Sequence, residues 1–209
     1  DTPNSSEHDI YLHPLEVRLN NLHVSFDAGI ETLNLTDGAV GTTITTQPGG
    51  SNTLLVKDGV TIASSSGGDI ELLARQSFTL EDDATIRTTG DVTIRGDHRD
   101  AVAGGSTINL LGTINADNVA VHGNVDNDTV NVTNVTTGSD TTIFTGAGGD
   151  TINVGDNATR ADGIAKTSST VNTVNRIAAL LTINGDDGID TLNVNDTGDT
   201  TANTGGLSS

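Results

Sequence analysis

No cysteine, methionine or tryptophan occurs in the 209 residues, and aromatic side chains make up only 2% of them. The missing cysteine excludes a disulfide framework and any thiolate site, and is compatible with an oxidising exterior. The scarcity of aromatics argues against a wide globular core, which normally relies on them as filler. Basic residues are scarce as well. Nine Lys and Arg against 28 Asp and Glu give a formal net charge of −19 and a pI near 4.1. Such a surface repels nucleic acid and anionic lipid, which argues against both as partners, and it collects cations. No run approaches the roughly 18 apolar residues that span a bilayer, so membrane insertion is not expected. No signal peptide is visible and the chain opens on Asp1, so it reads as a processed or excised piece of something longer.

What the chain has in abundance is Thr, Val, Ile, Asn and 25 Gly, a vocabulary of strands and turns rather than helices. One phrase keeps returning: Asn127-Asp128-Thr129-Val130-Asn131-Val132, Gly149-Asp150-Thr151-Ile152-Asn153-Val154 and Ile189-Asp190-Thr191-Leu192-Asn193-Val194, with a looser copy at Ile30 to Leu35. Apolar side chains alternate with Thr or Asn, the period of a strand with one buried face, and an acidic turn residue stands in front. Such a unit cannot bury its apolar face alone, so it must stack on its own kind. The step from Asp128 to Asp150 is 22 residues, and that from Asp150 to Asp190 is 40, close to two such steps. Gly68-Asp69-Ile70-Glu71-Leu72 and Gly90-Asp91-Val92-Thr93-Ile94 keep the same 22-residue beat, with Ser77 to Leu80 and Ala84 to Arg87 between them. One period therefore holds three short strands. The expected fold is all-β, a parallel β-helix (β-solenoid) of about 22 residues per coil, its narrow core filled by stacked small and β-branched side chains.

Residues 1–29 are the least regular and read as an N-terminal lead-in, with Ile10 to Leu12 and Leu15 to Leu19 as its alternating stretches and three scattered histidines in no zinc spacing; residues 30–209 read as the β-helical repeat domain. Residues 98–105 interrupt the beat with a polar loop. The stretch from Asp156 to Asn175 is too long for a simple turn, and Arg176 to Leu181 has the composition of a single helical turn before a strand at Leu181 to Asn184. No amphipathic helix caps either end, and open solenoid ends are templates for pairing. The expected partners are neighbouring repeats or end-to-end self-association, together with a cell-surface or matrix glycan.

Thr145-Gly146-Ala147-Gly148-Gly149-Asp150-Thr151-Ile152-Asn153 and Gly185-Asp186-Asp187-Gly188-Ile189-Asp190-Thr191-Leu192-Asn193 match the Gly- and Asp-rich nonapeptide in degenerate form. Here the sequence resembles the RTX-type calcium-binding repeats of secreted bacterial proteins. The resemblance implies calcium as cofactor, with Asp150 and Asp190 offering carboxylates, Asp186, Asp187 and Asp128 as the further acidic ligands, and turn carbonyls supplying other oxygens, since calcium takes six to eight. RTX nonapeptides run in uninterrupted tandem, whereas these stand 22 and 40 residues apart. The coils around Gly67 to Leu72 and Thr89 to Ile94 resemble those of filamentous-haemagglutinin-type adhesins and other giant secreted surface proteins. That likeness implies an extracellular or cell-surface bacterial location.

Enzyme chemistry needs a constellation. β-Helix enzymes acting on acidic polysaccharide, of lyase or epimerase type, are the rival reading, and their nearest approach here is Glu81-Asp82-Asp83 with Arg87, Arg95, His98 and Arg99. Arg95-Gly96-Asp97 spells the tripeptide that animal integrins recognise, in a chain where Gly-Asp is the commonest turn word. Thr-x-Thr phrases such as Thr43-Ile44-Thr45 raise a third reading, a Thr ladder that orders water or ice. No catalytic residue is assigned. The sequence points to a non-enzymatic structural or adhesive module.

Overall fold

The computed structural model describes residues 53–64, 67–74, 76–98, 104–155 and 173–200 and, as backbone strands, 10–12, 16–19, 22–24, 32–35 and 42–46. The first coil is β1 (Ile10–Leu12), β2 (Glu16–Leu19) and β3 (Leu22–Val24), and the second β4 (Thr32–Leu35), β5 (Thr42–Thr46) and β6 (Thr53–Val56). The third is β7 (Thr61–Ser64), β8 (Ile70–Leu73) and β9 (Ser77–Leu80), and the fourth β10 (Thr85–Arg87), β11 (Val92–Arg95) and β12 (Thr107–Leu110). The fifth is β13 (Thr113–Asn115), β14 (Asn118–Val125) and β15 (Thr129–Val132). The sixth keeps β16 (Asp140–Gly148) and β17 (Thr151–Val154), and the seventh β18 (Leu181–Asn184), β19 (Asp187–Gly188) and β20 (Thr191–Val194).

The chain visits three sheets in the same order on each turn, and every strand pair is parallel. Sheet A is β1-β4-β7-β10-β13, sheet B runs from β2 through β5, β8, β11, β14 and β16 to β18, and sheet C from β3 through β6, β9, β12, β15 and β17 to β20. The fold is a parallel β-helix, with no α-helix among the described residues. Three strands of the lead-in, β1 to β3, pair with β4, β5 and β6 and form a coil like the rest. In the last two coils, among the described residues, the place of a sheet A strand is taken by a bridge from Val135 to Ile177.

The register explains the sequence rhythm. Ile70 pairs with Val92 and Leu72 with Ile94, all four fully buried. Leu54, Phe78, Ile108, Val130 and Ile152 form one inward column of sheet C, and Val56, Leu80, Leu110, Val132 and Val154 the next. Each buried side chain of this size contributes roughly 1.5–3 kcal/mol, so a coil is held mainly by the four or five such residues it places on its neighbours. The 40-residue step is one coil and not two, because Thr151 pairs directly with Thr191. The residues beyond the 22-residue beat fall between β17 and β18 in the sequence, where positions 156–172 lie outside the described residues. A smaller addition at 98–105 lengthens the step from β9 to β12 to 30 residues. Arg176 to Leu180 is not helical. Ile177 N–H closes a turn on the Val174 carbonyl and the segment then joins Val135 through backbone hydrogen bonds, because pairing to the open edge of the preceding coil satisfies more backbone than an isolated helical turn.

Candidate functional site

The acidic residues of the repeated phrase form a column at the turn between sheets B and C. Asp128 Oδ1 accepts the Ser106 N–H and the Ser106 hydroxyl, Asp150 Oδ1 accepts the Asp128 N–H at 2.8 Å, and Asp190 Oδ1 accepts the Asp150 N–H at 3.0 Å. Each carboxylate thus reaches back one coil and satisfies a backbone donor that the turn leaves out of the sheet. Asp128 Oδ2 also accepts the Asn124 N–H, whereas Asp150 Oδ2 is buried without a hydrogen-bond partner. Burial pushes the Asp128 carboxyl above its ordinary range and nearby Asp150 pushes the same way, with the Ser106 hydrogen bonds opposing them. Three residues further on, asparagines form a second column. Asn131 Nδ2 donates to Asn109 Oδ1, Asn153 to Asn131 and Asn193 to Asn153, at 2.7, 2.8 and 2.9 Å. Both columns have a direction, each later side chain bonding to the coil before it, and the asparagine column ends, among the described residues, with Asn193 Oδ1 receiving no further asparagine.

The glycines of the nonapeptide-like turns have a packing reason. A Cβ on Gly146 would lie 1.8 Å from the Asn124 carbonyl oxygen, and one on Gly188 1.5 Å from that of Gly148, so backbone rests on backbone between coils. Asp186, at φ +57, and Asp187 are exposed on this last turn. Of the five aspartates, Asp128, Asp150 and Asp190 already accept backbone amides, Asp186 and Asp187 do so in no contact of the turn, and among the described residues no group of three or more His, Cys, Asp or Glu converges. Asp150 Oδ2 is the oxygen in the column with neither solvent nor a donor.

The residues of the rival enzymatic constellation stand apart. Glu81 and Asp82 belong to the turn from sheet C to sheet A, where Glu81 Oε2 accepts the Asp58 N–H and Asp82 pairs with Arg176 at 2.7 Å. Arg87 ends β10 on sheet A and is exposed, Arg95 ends β11 on sheet B, and Arg99 lies outside the described residues. The integrin-like tripeptide is not presented, since Asp97 is fully buried at φ +42. The column through Thr43 reads Thr43, Glu71, Thr93, Ala120, Thr142 and Thr182, so Glu71 and Ala120 break any Thr ladder there. A continuous hydroxyl column, Thr107 to Thr129, Thr151 and Thr191, lies instead on sheet C beside the asparagines.

One concave feature collects side chains of different chemistry. Where sheet B runs into the turns toward sheet C, a cavity of about 240 Å³ is lined by Arg95, His98, His122, Asn124, Phe144 and Asp186, with Gly96, Gly123 and Gly146. Arg95, His122 and Phe144 are one outward column, and the last two rings stack with centroids 5.0 Å apart and planes 10° from parallel. Burial, then the Arg95 charge, holds the His122 imidazole below its ordinary pKa, against the pull of Asp186. Sequence reading singled out Arg95, His98 and Asp186 but not His122 or Phe144. Their separation, 144 − 122 = 22, is the beat itself and marks them as neighbours.

Among the described residues no helix is long and apolar enough to cross a membrane. Comparison with known proteins finds no protein family, no curated protein and no solved structure that matches the chain.

Proposed function

We propose that this chain is a structural and adhesive β-solenoid module of a secreted or cell-surface bacterial protein, that it does not act as an enzyme, and that it works by stacking end on with further coils of its own kind. The observation that carries the reading is the last coil. Leu192 and Val194 are 43% and 60% exposed, whereas Ile152 and Val154, their counterparts one coil earlier, are 1% and 7% exposed. Ile189 and Leu180 add exposed apolar surface at 90% and 62%. Beside this surface Asn193 Oδ1 and the backbone edge of β20 offer the hydrogen bonds a further coil needs. The adhesive partner is a cell-surface or matrix glycan. Calcium supports the stack in this reading by using Asp150 Oδ2.

The test is sedimentation and negative-stain imaging of the purified chain across concentration. Linear strings are expected. Leu192→Lys with Val194→Lys, at exposed positions where folding changes by about 0.5 kcal/mol or less, should leave monomers. Wild-type chain that stays monomeric at the highest soluble concentration overturns end stacking, and cleavage of alginate or pectin by the purified chain overturns the non-enzymatic part.

A further inference from the structure

The cavity beside sheet B is chemically unlike the rest of the molecule. In a chain with 9 Lys and Arg, 5 His and 28 acidic residues, Arg95, His98 and His122 gather around one space with Asp186 as the carboxylate among its lining residues. Arg95 Nε lies 3.9 Å from Glu71, a long contact between side chains that are each about 40% exposed, which leaves the guanidinium in reach of solvent. The column Arg95, His122, Phe144 places a cation, an imidazole and a phenyl ring on three consecutive coils, about 4.8 Å apart. Two residues beyond His122 on the same face of β14, Asn124 donates Nδ2 to the Asp97 carbonyl, so its Oδ1 is the group it can offer.

We propose that this groove binds one carboxylate-bearing sugar unit, a uronate, with Arg95 and His98 on the carboxylate, the ring edges of His122 and Phe144 against the C–H surface, and Asp186 and Asn124 Oδ1 accepting hydroxyls. The combination selects the ligand class. An inorganic anion matches Arg95 but is repelled by Asp186. A neutral sugar satisfies Asp186 and Asn124 and leaves the guanidinium unused. A uronate uses both ends, because a carboxylate oxygen is a strong acceptor for hydroxyls and a guanidinium is matched to a carboxylate. The volume of about 240 Å³ lies below the roughly 300 Å³ at which drug-sized pockets begin. One ring fits inside, and a longer polymer continues outside along the stack.

This inference rests on the adhesive half of the proposed function and is independent of end stacking. The experiment is titration of the full chain with galacturonate, galactose and sulfate, followed by amide and imidazole NMR shifts and by calorimetry. Saturable galacturonate binding is expected with shifts centred on Arg95, His122 and Phe144, about tenfold tighter than galactose, equivalent to the ~1.4 kcal/mol of one charge-assisted contact. Sulfate should not compete. Arg95→Gln should bring galacturonate down to the galactose level, Phe144→Ala should weaken both sugars alike, and Asp186→Asn should weaken both sugars and admit sulfate. All three positions are partly or fully exposed, and unchanged melting of each variant checks that the fold persists. Sulfate binding as well as galacturonate, or no saturable shift at Arg95 with any of the three ligands, overturns the proposal. Sedimentation of the same samples separates the outcomes, since strings without uronate binding sink the groove alone and uronate binding without strings sinks end stacking alone.

Discussion

At the scale of single residues, two aspartates of the same column predict opposite responses to one substitution. Asp150 uses Oδ1 and leaves Oδ2 without a partner, so Asp150→Asn keeps the ladder bond and removes a buried charge next to Asp128. Unchanged or higher stability in urea is expected. Asp128 uses both oxygens. Whichever way the amide of Asp128→Asn turns, one backbone N–H then faces another donor, at a cost of about 1–3 kcal/mol. Equal losses in both variants would refute the ladder account. The same pair tests calcium: if Asp150 Oδ2 is a ligand, the gain in melting temperature from calcium over sodium at matched ionic strength disappears in Asp150→Asn. His122 governs a pH limb. Its folded pKa lies below the unfolded value of 6.5, so the fold resists the proton that the unfolded chain takes up, and stability falls as pH drops below about 6.5. Asp128 has the opposite sign: its folded pKa lies above the unfolded 3.8, so protonation on the way down toward that value favours the fold. Replacing His122 with Gln should flatten the upper limb of the curve measured by urea denaturation, and an unaltered slope there would remove His122 from the account.

At the scale of the coil, turns and inward columns divide the work. Gly188 has φ +139 and its missing Cβ is replaced in space by the Gly148 carbonyl, whereas Gly138, at φ +84, has nothing within 4 Å. Gly138→Ala should therefore show backbone strain alone, about 1–3 kcal/mol, and Gly188→Ala should add loss of amide protection along β16 and β19. Matching hydrogen-exchange patterns in the two variants would mean that the close approach of coils is unimportant. The strands of sheets B and C were legible because alternation and a 22-residue repeat are written in residues such as Ile70, Leu72, Val92 and Ile94. The 40-residue step was not. Counting cannot distinguish two coils from one coil with a long connection, and only the pairing of Thr151 with Thr191 decides it. The Gly-Asp turns were found as words, but their use as a carboxylate ladder depends on which atom of the neighbouring coil they meet, which spacing alone does not specify. Phe144 and His122 were overlooked because each looks isolated in sequence, though they stack in space.

At the scale of the whole molecule, a net charge of −19 is carried by a stack whose coils touch mainly through apolar columns and neutral Asn and Thr rows. Much of the charge sits in turns, where solvent and counterions screen it. The groove and the exposed last coil are different surfaces, one along the side of the stack and one at its tip, so a glycan contact and an axial contact need not compete. The direction of the asparagine column has a consequence for symmetry. Every Nδ2 donates toward the earlier coil, and the tip presents an oxygen, Asn193 Oδ1. In the proposed end-on stacking, a second molecule turned end for end would set oxygen against oxygen, so a twofold contact through this tip would be disfavoured and copies would add in one sense. Such a contact is heterologous and does not close on itself. A fibre built this way is a polar polymer, with unlike ends, unequal growth rates at the two, and no built-in length.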